Sequence, residues 1–319
     1  DMARSYLDHA STSPTRAAAV AAVADWFAGD GADPGRIHAE GMASRAALEH
    51  AREQVATLVG ARPREVVFTS GATESIAAAS HGARWRDPAR QRIVLCAVEH
   101  SAVRDLARRG PCAEVGVDRF GRVDPDELLA AVDGTTALVH LQWGNHEVGT
   151  TQPVRDVVEA CRDRGVLVHV DAAQAVGRAA IDFTELGADL VSVSGHKFGA
   201  PPGTGALLVR RGLRLEPLLL GGDQERARRA GMENVPSLLG LGAAAEELAG
   251  TWGDEAERQR ALTHRVVDWA DGADGVHVLG DPVQRLPHLI CLGIEGIEPQ
   301  PVLLGLDQSG VAVHSGSSC

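Results

Sequence analysis

Short, almost unbroken runs of valine, leucine and isoleucine recur along this chain, with stretches of helical period between them. EVVFTS (65–70), RIVLCAVE (92–99), ALVHLQWG (137–144), VLVHVDAA (166–173), ADLVSVSG (188–195) and GALLVRR (205–211) are the clearest. A strand with one wet face alternates apolar and polar residues. These runs do not alternate, so both their faces must be covered. Strands of that kind, separated by helices of about ten to fifteen residues, define an α/β fold with a mostly parallel sheet between helical layers.

The helical stretches are 15–29, 41–60, GATESIAAASHGA, SAVRDLARRG, QPVRDVVEACRDRG, and two near 236–249 and 254–271. After them come VHVLG, HLICLGI (288–294), a helix near 299–309 and VAVHS, which read as a smaller α+β unit. A boundary near 250 is expected. Residues 11–250 would form the large domain, and residues 1–10 with 251–319 the small one. No internal repeat or low-complexity linker interrupts the pattern.

Charge and cysteine content narrow the function classes. The formal net charge is −12, which argues against nucleic acid or an anionic membrane as the main partner. No run approaches about 18 uninterrupted apolar residues, so no membrane span is expected, and the N-terminus lacks a signal-peptide core. A cytoplasmic protein is the expectation. The five cysteines, Cys96, Cys112, Cys161, Cys291 and Cys319, are odd in number and dispersed, unlike a disulfide framework or zinc ribbon. Cys96 and Cys291 read as buried strand residues, Cys161 as helical and Cys112 as a loop residue. Cys319 follows HSGSS.

Lys197 is the only lysine in the 319 residues. Arginine serves wherever charge alone matters, but its guanidinium does not deprotonate, whereas a desolvated lysine amine can attack a carbonyl. A surviving lysine fits a Schiff-base role or a leftover surface position. Four polar clusters follow strands, where an open α/β sheet gathers its ligands. TSGATES can hold a phosphate on the N–H groups of a helix start, helped by Thr73, or can be an ordinary N-cap built on Ser70 or Thr73. His100 can stack on a flat cofactor or be structural. Asp171 in HVDAAQ can pair with a pyridinium nitrogen or cap the next helix, with Gln174 in reach of a ring substituent. In SGHK, Ser194 and His196 add donors beside Lys197.

Taken in order and spacing, YLDHASTSP, SGATES, EHSAV, NHEVGTTQP, HVDAAQAVG, SGHKFGAPPGTGAL and HSGSSC resemble the cysteine desulfurases, class-V aminotransferase-like enzymes of fold type I. The resemblance spans essentially the whole chain. It implies a seven-stranded-type sheet in an aspartate aminotransferase-like large domain, with pyridoxal 5'-phosphate as cofactor. Lys197 would carry the cofactor aldehyde and act as base. Asp171 would pair with the ring nitrogen, His100 would stack on the ring, and Gln174 would approach its phenolic oxygen. Ala72, Thr73, Ser194 and His196 would hold the phosphate, and Asn145 or His146 would contact the ring. Cys319 would take sulfur from L-cysteine as a persulfide, releasing alanine, with His100 or His314 available to deprotonate it.

The resemblance further implies a homodimer and a protein sulfur acceptor. A C–S or C–Se lyase and a non-catalytic scaffold remain as alternatives. Three positions depart from the family pattern. Asn145–His146 stands where two asparagines are usual. In RRAGMENVP, Met232 replaces a threonine that reaches a phosphate across the dimer, with Arg229 nearby. The chain stops at Cys319, so the small domain is expected to be incomplete at its C-terminus and to lack an arginine for the substrate carboxylate.

Overall fold

The apolar runs assemble into one seven-stranded sheet, described by a computed structural model that covers residues 4–316. In chain order the elements begin β1 (Ser5–Tyr6), α1 (Ala17–Ala28), α2 (Ala39–Leu58), β2 (Val66–Thr69), α3 (Ala72–Arg86), β3 (Arg92–Cys96) and α4 (Ser101–Ala107). They continue β4 (Cys112–Val115), α5 (Pro125–Ala130), β5 (Thr136–Gln142), α6 (Val154–Asp163), β6 (Leu167–Asp171), α7 (Phe183–Leu186) and β7 (Leu190–Ser194). Then follow β8 (Gly205–Val209), α8 (Gln224–Ala227), α9 (Val235–Asp271), β9 (Val276–Leu279), β10 (Cys291–Ile294), α10 (Pro299–Gln308) and β11 (Val311–Ala312).

The large sheet runs β2-β8-β7-β6-β5-β3-β4. Only β8 runs against its neighbours. Every residue of β5, β6, β7 and β8 is buried, as runs without alternation require. Val139, Leu141, Val168 and Val170 enter the main core on one face, while Leu138 and Leu167 pack on the other. Because the sheet is mostly parallel, β2, β3, β5, β6 and β7 all deliver their last residues to one edge. That edge carries the site.

Three sequence expectations are corrected. The helices near 236–249 and 254–271 are one element, α9, of 37 residues. Gly250 and Gly253 each cost only about 1 kcal/mol in a helix interior, and α9 lies packed along α1 and α2. The two domains we propose therefore share a helix across position 250. Cys112 opens the edge strand β4 instead of sitting in a loop, and Cys291 is only half-buried. Near the ends of the described chain, β1 pairs in parallel with β11, and β9 pairs antiparallel with β10.

A strained turn lies beside β2, with Glu225 buried and Arg226 and Ala227 exposed. Glu225, Arg226 and Ala227 have φ of 50°, 58° and 59°, one turn of left-handed helix made by residues with a Cβ. Such a turn costs about 1–2 kcal/mol per residue, so its surroundings must hold it. Arg52 does so with two hydrogen bonds of 2.7 Å to the Glu225 carboxylate. Glu225 also accepts from Phe68 N at 2.8 Å, and the Arg52 guanidinium lies 4.4 Å over the Phe68 ring.

Candidate active site

At the carboxyl edge of the sheet lies a cavity of about 430 Å³. Loop 70–73 forms one wall. A Cβ on Gly205 would meet Gly71 Cα at 2.6 Å, so a glycine on β8 is what lets this loop close over the strand end. Neither Ser70 nor Thr73 caps α3: its N-cap is Gly71, with no side-chain cap bond. Glu74 instead accepts from Ser70 N at 2.8 Å and is held by Arg229 at 2.8 Å. A helix start without a side-chain cap suits an anion. Ala72, Thr73, Ser194 and His196 all line the cavity. Met232 is 61% exposed and a thioether has no hydrogen to donate.

β6 brings Asp171 to the cavity, 8% exposed. Burial pushes its carboxyl up. Ala173 N at 3.0 Å, His100, Lys197 and the Ser192 hydroxyl oppose that rise without cancelling it. His100 follows β3 and N-caps α4, with Nδ1 accepting from Ala102 N at 3.1 Å, so the structural reading of this residue holds alongside its place in the cavity wall. Burial lowers its pKa, opposed by Asp171. An imidazole whose Nδ1 accepts is protonated at Nε2 when neutral. Its ring centroid lies 5.2 Å from that of His146, edge to face.

Lys197 follows β7. Its Nζ donates to Ala10 O at 2.6 Å and Ser11 O at 2.8 Å. The segment 8–16 is laced to the lysine loop: Ser13 Oγ and Arg178 Nη2 both donate to Lys197 O, at 2.8 and 2.7 Å, and Ser13 N donates to His196 O at 2.9 Å. Gln174 lines the cavity with its amide nitrogen on Ala10 O at 2.7 Å, and shares a 3.2 Å bond with His288 Nε2.

Of the pair Asn145–His146, only His146 lines the cavity. Asn145 holds a turn: its side-chain oxygen accepts from Glu147 N and Val148 N at 2.9 Å, and its side-chain nitrogen donates to Val98 O. Burial holds His146 and His196 neutral, each lowered to about 4. Cys319 lies outside the described residues. Sequence reasoning missed Ser11, Thr12 and Gln142 in the wall. Gln142 carried the same signal as Asp171, a polar residue closing an apolar strand. A more open hollow of about 600 Å³ beside Trp252 and Leu286 lacks the amine and the strand-end carboxylate.

The wall thus sets an uncapped helix start at one end, a buried carboxylate, imidazoles and a lysine amine around one cavity. That donor set fits a molecule with a phosphate, a basic ring nitrogen and an aldehyde.

Comparison with known proteins agrees with this arrangement. The aminotransferase class-V family profile matches residues 5–319, and the chain belongs to that family. Cysteine desulfurase IscS 1 of Archaeoglobus fulgidus is 35% identical over 98% of this chain and 84% of its own length. A cysteine desulfurase of Gluconacetobacter diazotrophicus is 40% identical over 98% of this chain and 80% of its own. A solved NifS-like protein superposes with a TM-score of 0.93 at 30% identity, covering 97% of this chain and 87% of its own. Within the family, the chain falls among the cysteine desulfurases.

Buried neutral histidines make the fold acid-sensitive. His140 is fully buried and lowered from 6.5 to about 3 by burial. The unfolded chain binds a proton there below about 6.5 that the native state refuses until about 3. Stability therefore falls as pH drops through that window, by about 1.4 kcal/mol per pH unit from this residue. Urea unfolding at pH 7 and pH 5 is expected to show a lower midpoint at pH 5, and a midpoint that does not move would contradict the burial argument.

Proposed function

We propose that this protein is a pyridoxal-phosphate-dependent cysteine desulfurase, which moves sulfur from L-cysteine to a protein acceptor and releases L-alanine. The observation that carries the reading is the convergence of Lys197, Asp171, His100 and the α3 start on one cavity. Bound there, pyridoxal phosphate supplies a carbonyl for an amine and an electron sink for charge developing at the substrate Cα.

Ala72, Thr73, Ser194 and His196 would hold its phosphate. Asp171 would keep the ring nitrogen protonated, His100 would lie against the ring, and His146 and Gln174 would stand at its edge. Lys197 is held by two carbonyl oxygens, and its amine, once neutral, is the base that takes the Cα proton. The Cys319 thiolate attacks the substrate sulfur and the Cβ–S bond breaks. The three-carbon fragment takes up protons and leaves as alanine, while the sulfur stays on Cys319 as a persulfide. In this reading the enzyme is a cytoplasmic homodimer.

Mass spectrometry after incubation with pyridoxal phosphate and L-cysteine tests the reading. Cys319 is expected to gain one sulfur atom, and Cys319→Ser to gain none. Undiminished alanine production by Cys319→Ser under reducing conditions, with no persulfide on the native chain, would instead mark a lyase.

A further inference from the structure

On the sheet face covered by α3, four buried side chains form a line that ends at Asp171. Ser80 Oγ lies 2.8 Å from His140 Nε2, and His140 Nδ1 lies 2.8 Å from His169 Nδ1. His169 Nε2 lies 2.8 Å from Ser192 Oγ. Ser192 sits beside Asp171 in the register of β6 and β7, and its hydroxyl helps to hold the Asp171 carboxyl down against burial. Both imidazoles and Ser192 are fully buried, and Ser80 is 2% exposed. An apolar core has no need of this line, and nothing in the reaction described above uses it.

Counting protons shows what the line can do. A neutral imidazole carries one N–H. Two Nδ1 atoms at hydrogen-bond distance share one hydrogen, so one ring is the Nδ1–H tautomer and the other the Nε2–H tautomer. Only two polarities satisfy every link. In the first, Ser80 donates to His140 Nε2, His140 Nδ1–H to His169 Nδ1, and His169 Nε2–H to Ser192 Oγ. The Ser192 hydroxyl then donates to Asp171. In the second, every bond reverses and Ser192 turns a lone pair toward Asp171, which is tolerable only if Asp171 carries a proton. Asp171 already accepts from Ala173 N at 3.0 Å. The charged and titratable groups around it are His100 ahead of α4, Lys197 after β7 and Glu99 after β3. Arg84 of α3 faces the His140 end. An ionised Asp171 beside Lys197 selects the first polarity.

We propose that Ser80, His140, His169 and Ser192 are positioning residues: a one-directional hydrogen-bond chain that aims a hydroxyl donor at Asp171 and keeps its carboxylate charged in a buried site. The inference rests on the role of Asp171 proposed above, where a charged carboxylate holds a ring nitrogen in its protonated form.

Long-range ¹H–¹⁵N correlation spectra of the histidine-labelled full chain, with and without pyridoxal phosphate, test it. His140 is expected as the Nδ1–H tautomer and His169 as the Nε2–H tautomer at pH 7. The opposite pair, or a charged ring at either position, overturns the proposal with no variant required. A second arm follows the Asp171 carboxyl carbon by ¹³C titration. Ser192→Ala is expected to raise its midpoint by about 1–2 pH units, the worth of one hydrogen bond to a charged group, and Ser192→Thr to restore it. An unchanged midpoint in Ser192→Ala also overturns it. These readouts do not need the cofactor to bind, so a chain that fails to take it up at Lys197 refutes the proposed activity and leaves this test standing.

Discussion

Lys197→Ala is expected to lower alanine formation from L-cysteine by at least about 10³-fold while leaving the protein folded. The side chain has two jobs in the proposed reaction, holding the cofactor carbonyl and taking the Cα proton. General-base catalysis alone contributes about 10²–10⁴. The fold should tolerate the loss. The amine contributes two hydrogen bonds to Ala10 and Ser11 carbonyls, while the loop itself is pinned through Lys197 O by Ser13 and Arg178, which Lys197→Ala retains. Lys197→Arg sharpens the test, because it keeps a cation against the same carbonyls but supplies no neutral amine. Equal inactivity of the two variants, with unfolding midpoints close to the native one, is the expected pattern. Substantial activity in Lys197→Arg would show that only charge is needed there.

The largest effect on stability is expected from the buried Arg52–Glu225 pair. Their side chains are 2% and 1% exposed. Arg52→Met leaves the Glu225 carboxylate buried with Phe68 N as its remaining partner, and removes the group that holds the left-handed turn. Breaking a buried pair in this way costs about 3–5 kcal/mol. The double variant Arg52→Met with Glu225→Leu removes both charges together. It is expected to be more stable than Arg52→Met alone, a strongly non-additive result. Denaturant unfolding of the native chain, both single variants and the double variant closes the cycle. Additive losses would mean that the two groups do not act as a pair. Because β2 leads directly into loop 70–73, the single variants are also expected to weaken cofactor retention.

How much of this was legible in the residues depends on the range of the interaction. The strands could be read because burial on both faces leaves an unbroken apolar run, and β5 through β8 are that case. The site could be read in outline because parallel strands send their last residues to one edge, so Asp171, His100 and Lys197 needed only their places after strands. Asn145 could not be read: beside His146 in sequence it looks equivalent, yet its amide closes a turn onto Glu147 and Val148. The α9 helix was divided because two glycines weaken a local pattern that packing on α1 and α2 overrides. The clamp of Ser13 and Arg178 on Lys197 O, and the line from Ser80 to Asp171, join residues remote in sequence whose pairing only the sheet register reveals.

The central claim is that Lys197 carries the aldehyde of the cofactor. It is tested most directly by incubating the full chain with pyridoxal phosphate, reducing with borohydride to fix any carbon–nitrogen link, and mapping the modified peptide by tandem mass spectrometry. The account predicts a stoichiometric phosphopyridoxyl group on Lys197 in the native chain. A native chain that remains folded but leaves Lys197 unmodified would contradict it.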